Sequence, residues 1–273
     1  MKECTSQRVS IGALTIHVIS VPEEGEGTNL IVLETRNRLL MIDVPLLEPH
    51  ARELDEYVRA LEKPIDRILV THAHPDHWFT RSLWKDVPCQ ALKETIDEIK
   101  VLLPLQIGYH KQIHGEAMIA DIQPPVEAIA PGTLIVDGLE LKLDNYAETE
   151  DVALMVIEIP ALKVLLAQDL VCIDTHLYLG TFDSNKQPTI DRWIAALRAL
   201  DKRDFDTIIP GHGPLGTARP FAHVIDYLEQ SKDVIASSKT SAEFKEAMRA
   251  RFPRHRVNLV LEMSAYMLYD WGK

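Results

Sequence analysis

Cysteine is scarce in this chain. Cys4, Cys89 and Cys172 are spread across 273 residues. Odd in number and far apart, they suggest neither a disulfide framework nor a thiolate metal cage, and they fit a reducing compartment. Long apolar runs are missing too, so no stretch has the length that a membrane-spanning helix needs. The opening Met1-Lys2-Glu3-Cys4-Thr5-Ser6-Gln7-Arg8 has no apolar core of a secretory signal. The expected compartment is the cytoplasm, with no membrane partner. Basic charge is in deficit: 29 Lys and Arg stand against 41 Asp and Glu, a net charge of −12. That balance argues against a polyanion, and so against nucleic acid, as the main partner. Linkers, low-complexity tracts and coiled-coil repeats are absent, so a single domain over residues 1–273 is expected. Hydrophobic residues at 46% are enough for a substantial core.

The chemistry concentrates in Thr71-His72-Ala73-His74-Pro75-Asp76-His77-Trp78. Three imidazoles and a carboxylate in six positions form an H-x-H-x-D-H array, and these are ligand types that zinc, iron and manganese accept. The apolar triplet Ile68-Leu69-Val70 just upstream reads as the end of a buried strand. Ligands at a strand's C-terminal end are where open α/β sheets place their sites. Unpaired ionisable groups there would be costly without a partner. In an extended loop His72, His74 and Asp76 share one face and His77 needs a turn, an arrangement suited to one or two ions.

Around this array the periodicity predicts alternating strands and helices. Val9 to Val21 is rich in aliphatic and β-branched residues, with a turn at Gly12. Asn29–Glu34 and Leu39–Val44 read as a hairpin, with Asp43 at its end placed to brace a ligand loop. Pro49 to Glu62 has a helical stripe. Lys93 to Leu103 reads as a helix stopping before Pro104. Residues 97–125 then form a candidate lid segment carrying Tyr109, His110 and His114, which are assigned to the pocket wall and not to the ligands. Val152–Ile159 and Leu162–Ala167 suggest a second hairpin that delivers Asp169, and Thr207-Ile208-Ile209-Pro210 delivers Gly211-His212-Gly213. Ile190 to Leu200 forms a helix stripe. Residues 217–273 read as C-terminal helices, the first capped by Thr217.

His72-x-His74-x-Asp76-His77, the strand ending in Asp169 and Pro210-Gly211-His212-Gly213 together resemble the metallo-β-lactamase fold superfamily, with the glyoxalase II-like branch unresolved. The resemblance implies an α/β fold, a four-layer αββα sandwich with the metal site along one edge of its sheets. It implies that His72 and His74 bind a first metal, that Asp76, His77 and His212 bind a second, and that Asp169 bridges them. One slot departs from the pattern. The family usually places another histidine between the first motif and the bridging aspartate, and here none occurs between His114 and His176. The best register puts Glu148 in that slot, with Asn145 and Glu150 as rivals.

The resemblance further implies a divalent metal cofactor. Zinc is expected, as one or two ions, with iron or manganese as alternatives. A hydroxide activated by the metal would be the nucleophile, and Asp76 or Asp169 would orient it or shuttle its proton. A carboxylate in the slot lowers the net positive charge, which makes a bound water less acidic. The expected function is a metal-dependent hydrolase acting on a small-molecule ester, lactone or thioester. The alternatives are an iron-dependent oxidoreductase on the same fold and a non-catalytic metal-binding protein. His176, Tyr178 and Phe182 are further pocket candidates, and homo-oligomer formation is left open.

Overall fold

A computed structural model describes residues 3–271. Met1, Lys2, Gly272 and Lys273, the ends of the expected domain, lie outside the described residues. The first sheet runs β1 (Thr5–Ile11), β2 (Leu14–Ser20), β3 (Asn29–Glu34), β4 (Leu39–Ile42), β5 (Ile65–Val70), β6 (Cys89–Ala91) and β7 (Glu127–Ala128), each beside the next. Its first four strands form an antiparallel meander, and β4 to β7 are parallel. Parallel neighbours need crossovers. Those crossovers contain α1 (Glu48–Arg59) between β4 and β5, and α2 (Lys93–His114) between β6 and β7.

The second sheet holds β8 (Gly132–Val136), β9 (Leu139–Asn145), β10 (Met155–Ile159), β11 (Val164–Cys172) and β12 (Thr207–His212), in spatial order β12-β11-β10-β9-β8. β11 and β12 are parallel, and α3 (Ile190–Leu200) lies between them in the chain. The chain closes with α4 (Pro220–Ser237), α5 (Ser241–Arg251) and α6 (Asn258–Tyr269).

Strand alternation divides the apolar residues among three layers of core. Ile31, Leu33, Leu40 and Ile42 face the other sheet, where they meet Leu141, Leu143, Met155 and Ile157. Val32, Met41, Ile68 and Val70 face outward, under Ala51, Leu54 and Val58 of α1. On the far side Leu165, Ala167 and Val171 meet Trp193 and Leu197 of α3, Val224 and Leu228 of α4, and Leu261 of α6. The layers are therefore helix, sheet, sheet and helix. β11 is covered on both faces and buried at all nine residues, which is why it reads as a run without alternation. Among the described residues no helix is long and apolar enough to cross a membrane.

Three sequence expectations change. The helix expected to stop before Pro104 continues to His114. Proline removes one donor to the carbonyl four residues back, and Pro104 lies on an exposed face where water can take that donor's place. The 97–125 lid candidate is therefore mostly α2. Thr217 does not cap α4. Its hydroxyl donates to the Pro214 carbonyl at 3.4 Å, and the helix starts after Arg219, which has φ 54°. β11 also runs past Asp169 to Cys172 through register shifts on either side of Gln168. Pro104→Ala is expected to restore the missing hydrogen bond and stabilise α2, raising unfolding free energy by up to about 3 kcal/mol in a denaturant melt.

Candidate metal centre

The parallel ends of the two sheets meet at one point, and separate segments arrive there. β5 ends at Val70 and releases the loop with His72 and His74, and a single 3-10 turn over Pro75–His77 gives His77 its different heading. β11 carries Asp169 and β12 ends on His212. The structure brings His72, His74, Asp76, His77, Asp169 and His212 together, all but His74 with the residue buried.

The ring nitrogens facing the cluster are set by what binds the other side of each ring. His77 Nδ1 is 2.8 Å from Asp43 Oδ2, which leaves Nε2 facing Asp76 at 3.2 Å and Asp169 at 3.5 Å. His212 Nδ1 donates to the Glu26 carbonyl at 2.9 Å, and its Nε2 lies 3.1 Å from Asp169 and 3.5 Å from Asp76. His72 Nδ1 lies 3.0 Å from the Thr71 hydroxyl, and its Nε2 faces Asp169 at 3.8 Å. Thr28 donates to Asp76 Oδ2 at 2.5 Å. Asp43 also accepts from the Thr71 amide and hydroxyl and from Gln168 Nε2, each at 2.8 Å. It thus joins the loop, the histidine and the second sheet. Asp43→Asn removes the charge that orients His77 and is expected to weaken metal affinity about 10–100-fold, measured by competition with a chelator.

Glu148 does not join the cluster. It adopts φ 52° in the β9–β10 loop, and its carboxylate pairs with Arg192 on α3. Glu150 stands in the slot instead. Its Oε1 is 3.1 Å from His74 Nδ1 and its Oε2 is 3.7 Å from His72 Nε2. The left-handed turn at Glu148 redirects the chain, so that the carboxylate two residues later points inward. The neighbouring Asp151 accepts from the Ala73 amide at 2.9 Å and fastens this loop to the histidine loop.

Gly211 and Gly213 allow the close approach at His212. A Cβ on Gly211 would fall 2.1 Å from Asp169 Oδ1, and one on Gly213 would fall 1.9 Å from the Ile173 carbonyl. Asn29 holds the same turn by donating to the Pro210 and Gly213 carbonyls at 3.1 and 2.8 Å.

Charge among these groups is finely divided. Burial pulls the His77 imidazole down, but Asp76, Asp169 and Asp43 hold it well above the ordinary histidine range. Burial alone would raise Asp76 and Asp169, yet the imidazoles around them hold both below the usual carboxylate range. Burial pushes Glu150 up to about 7 against the pull of His74. Burial with Asp76 nearby pushes Glu26 up to about 8.

The donor set fits a divalent ion. His77 Nε2, Glu150 Oε2 and Asp169 Oδ1 are buried without a hydrogen-bond partner among the described residues. Buried polar atoms rarely stay unpaired, and a shared cation satisfies such atoms together. Potential ligand atoms here include one group from His72, His74, Glu150 and Asp169 and one from Asp76, His77 and His212, with Asp169, Cys172 and His212 overlapping both.

A profile described as the metallo-beta-lactamase superfamily matches residues 24–212. The chain belongs to this superfamily. The metallo-beta-lactamase type 2 of Bacillus cereus is 22% identical over 212 residues, 76% of this chain and 75% of that protein. The metallo-beta-lactamase FIM-1 from Pseudomonas aeruginosa, solved in a mono-zinc form, shares the fold with a TM-score of 0.60 at 17% identity, covering 85% of this chain and 98% of that one. A protein of Pyrobaculum neutrophilum named cytidylate kinase is 33% identical over 108 residues, which cover 38% of this chain and 55% of that protein.

Several residues at this superfamily site were not expected from the sequence. Glu26 caps the end of the 3-10 turn over Glu23–Gly25, a segment that reads only as a polar connection, and the sequence carries no mark of its role. Cys172 was set apart from metal chemistry, yet its ligand atom lies within 4.8 Å of those of Asp169 and His212. The register shifts in β11 bring it there, and burial, with Asp169 nearby, pushes its thiol well above the ordinary cysteine range. Of the pocket candidates, Tyr178 packs edge-on against His74 at 4.8 Å between ring centroids, and His176 Nδ1 meets the Tyr227 hydroxyl at 3.0 Å. A cavity of about 30 Å³ lies over the cluster, walled in part by Leu177, Tyr178, Val257 and Val260.

Proposed function

We propose that this protein is a metal-dependent hydrolase of a small ester, lactone or thioester, with zinc as its metal and the cytoplasm as its compartment. The observation that carries the reading is Asp169, a member of the first ligand group whose carboxylate also lies 3.5 Å from His77 and 3.1 Å from His212, with polar atoms of His77, Glu150 and Asp169 left unpaired among the described residues. His72, His74, Glu150 and Asp169 would hold one ion, and Asp76, His77 and His212 a second. A divalent ion there supplies water that ionises near neutral pH and a Lewis acid for the carbonyl oxygen.

The chain's own groups do the rest. Asp43 and the Glu26 carbonyl orient His77 and His212. Asp76, fixed by Thr28, and Asp169 are acceptors positioned to take a proton at a carboxylate oxygen and return it to the leaving group. Leu177, Val257 and Val260 offer an apolar wall for an acyl chain. The narrow cavity favours a small substrate.

A second reading is supported by the exchange of histidine for Glu150. His72 and His74 with the carboxylates of Glu150 and Asp169 make a more oxygen-rich set than three histidines would, and mixed imidazole and carboxylate donors suit iron and oxygen chemistry. The test is a panel of esters, lactones, thioesters and β-lactams with protein reloaded with zinc or iron, run beside an oxygen electrode. Ester-class turnover with zinc that a chelator abolishes is expected. Oxygen uptake with iron and no hydrolysis would replace the first reading with the second.

A further inference from the structure

A second group of ligand-type side chains lies beside the main cluster and uses none of its ligands. His110 and His114 are one turn apart on α2, so they share a helix face. Their rings stack with centroids 5.6 Å apart and planes 8° apart, and Phe79 meets His110 edge-on at 5.6 Å. Opposite them stands Glu26, at the end of the 3-10 turn over Glu23–Gly25. Glu26 is 5% exposed and His110 1% exposed.

Each of these residues has a buried polar atom without a partner among the described residues: Glu26 Oε1, His110 Nδ1 and His114 Nε2. Glu26 Oε1 and His110 Nδ1 are 3.7 Å apart, too long for a hydrogen bond. Two ligands of one zinc ion, each about 2.0–2.1 Å from it, sit about that far apart. One ligand atom from each of the three residues lies within 4.8 Å of the others, so a small side-chain adjustment closes the set.

We infer that Glu26, His110 and His114 form an additional cation site, taking a zinc-type divalent ion and pinning α2 to the turn that holds His212. Two imidazoles and a carboxylate are the donors such an ion takes, with water completing the set. A buried carboxylate facing two unpartnered imidazoles gains one common partner. Because the Glu26 carbonyl accepts from His212 Nδ1, the ion also steadies a ligand of the main centre without touching it. The site depends on α2 continuing through Pro104, since a helix ending there would leave His110 and His114 in a loop.

The experiment counts zinc. Metal-free protein is titrated with zinc alone, freed of excess, and analysed for metal per chain. His72→Ala/His77→Ala, which disables the main centre, is expected to keep one ion. His110→Ala/His114→Ala is expected to hold one ion fewer than the unaltered protein. His114 is only partly buried, so His114→Gln serves as the variant that keeps the fold, checked by circular dichroism. It should weaken that last ion at least about tenfold and reduce the rise in melting temperature that zinc produces. A His114→Gln protein with unchanged zinc count and affinity overturns the inference, whether or not hydrolysis is ever found.

Discussion

Asp169→Ala is expected to lower metal content sharply and to cut turnover by at least about 10³-fold, because water without a metal ionises near 15.7 instead of near 7. The size of the effect follows from position. Asp169 Oδ1 lies 3.5 Å from His77, while Oδ2 lies 3.1 Å from His212 and 3.8 Å from His72. Among the described residues its carboxylate alone pairs with histidines of both ligand groups, so its loss opens both at once. It also removes the main negative charge opposite His212, leaving buried imidazoles facing one another. Elemental analysis and turnover should be read on the same folded sample. A variant that keeps its full metal and its activity would remove Asp169 from the centre and take the proposed chemistry with it.

Glu150→Ala and Glu148→Ala should part company. Glu150 is 2% exposed at the side chain and faces His74 and His72, so its loss is expected to weaken metal binding by about 100-fold or more, beyond what removing a supporting group costs. Glu148 is 31% exposed and pairs with Arg192 at the surface. Such pairs contribute about 0–1 kcal/mol, so Glu148→Ala should leave metal and activity nearly unchanged. Equal effects, or a larger one at Glu148, would reverse the assignment. Glu150→His carries the argument to pH. Replacing a carboxylate by a neutral imidazole raises the net positive charge at the centre, which makes a bound water more acidic. The acidic limb of the pH–rate profile is then expected to move to lower pH, and an unmoved limb would show that Glu150 does not act on the titrating group.

Much of this molecule is legible in one dimension. The array from His72 to His77 is readable because its ligands are neighbours in the chain and sit after an apolar strand. Asp169 is readable because it follows the apolar run Val164–Ala167, and His212 because it follows Thr207 to Pro210 and is flanked by glycines. The layered fold follows from strand and helix periods that local sequence carries directly. Superfamily membership rests on the same motifs and on the match over residues 24–212.

Tertiary structure decided the rest. Nothing in the run from Asn145 to Asp151 says which acid turns inward. A left-handed residue at Glu148 and the position of Arg192, 44 residues away in sequence, settle it. Pro104 signals a helix end to any local rule, yet α2 passes through it because that face meets water. Glu26 reads as a loop acid and becomes a buried neighbour of His110 and His212 only when three separate segments pack together. Local sequence sets period and ligand type, since both depend on adjacent residues. The choice of one carboxylate over another depends on which distant charges and backbone turns meet it, and those are brought together only by folding.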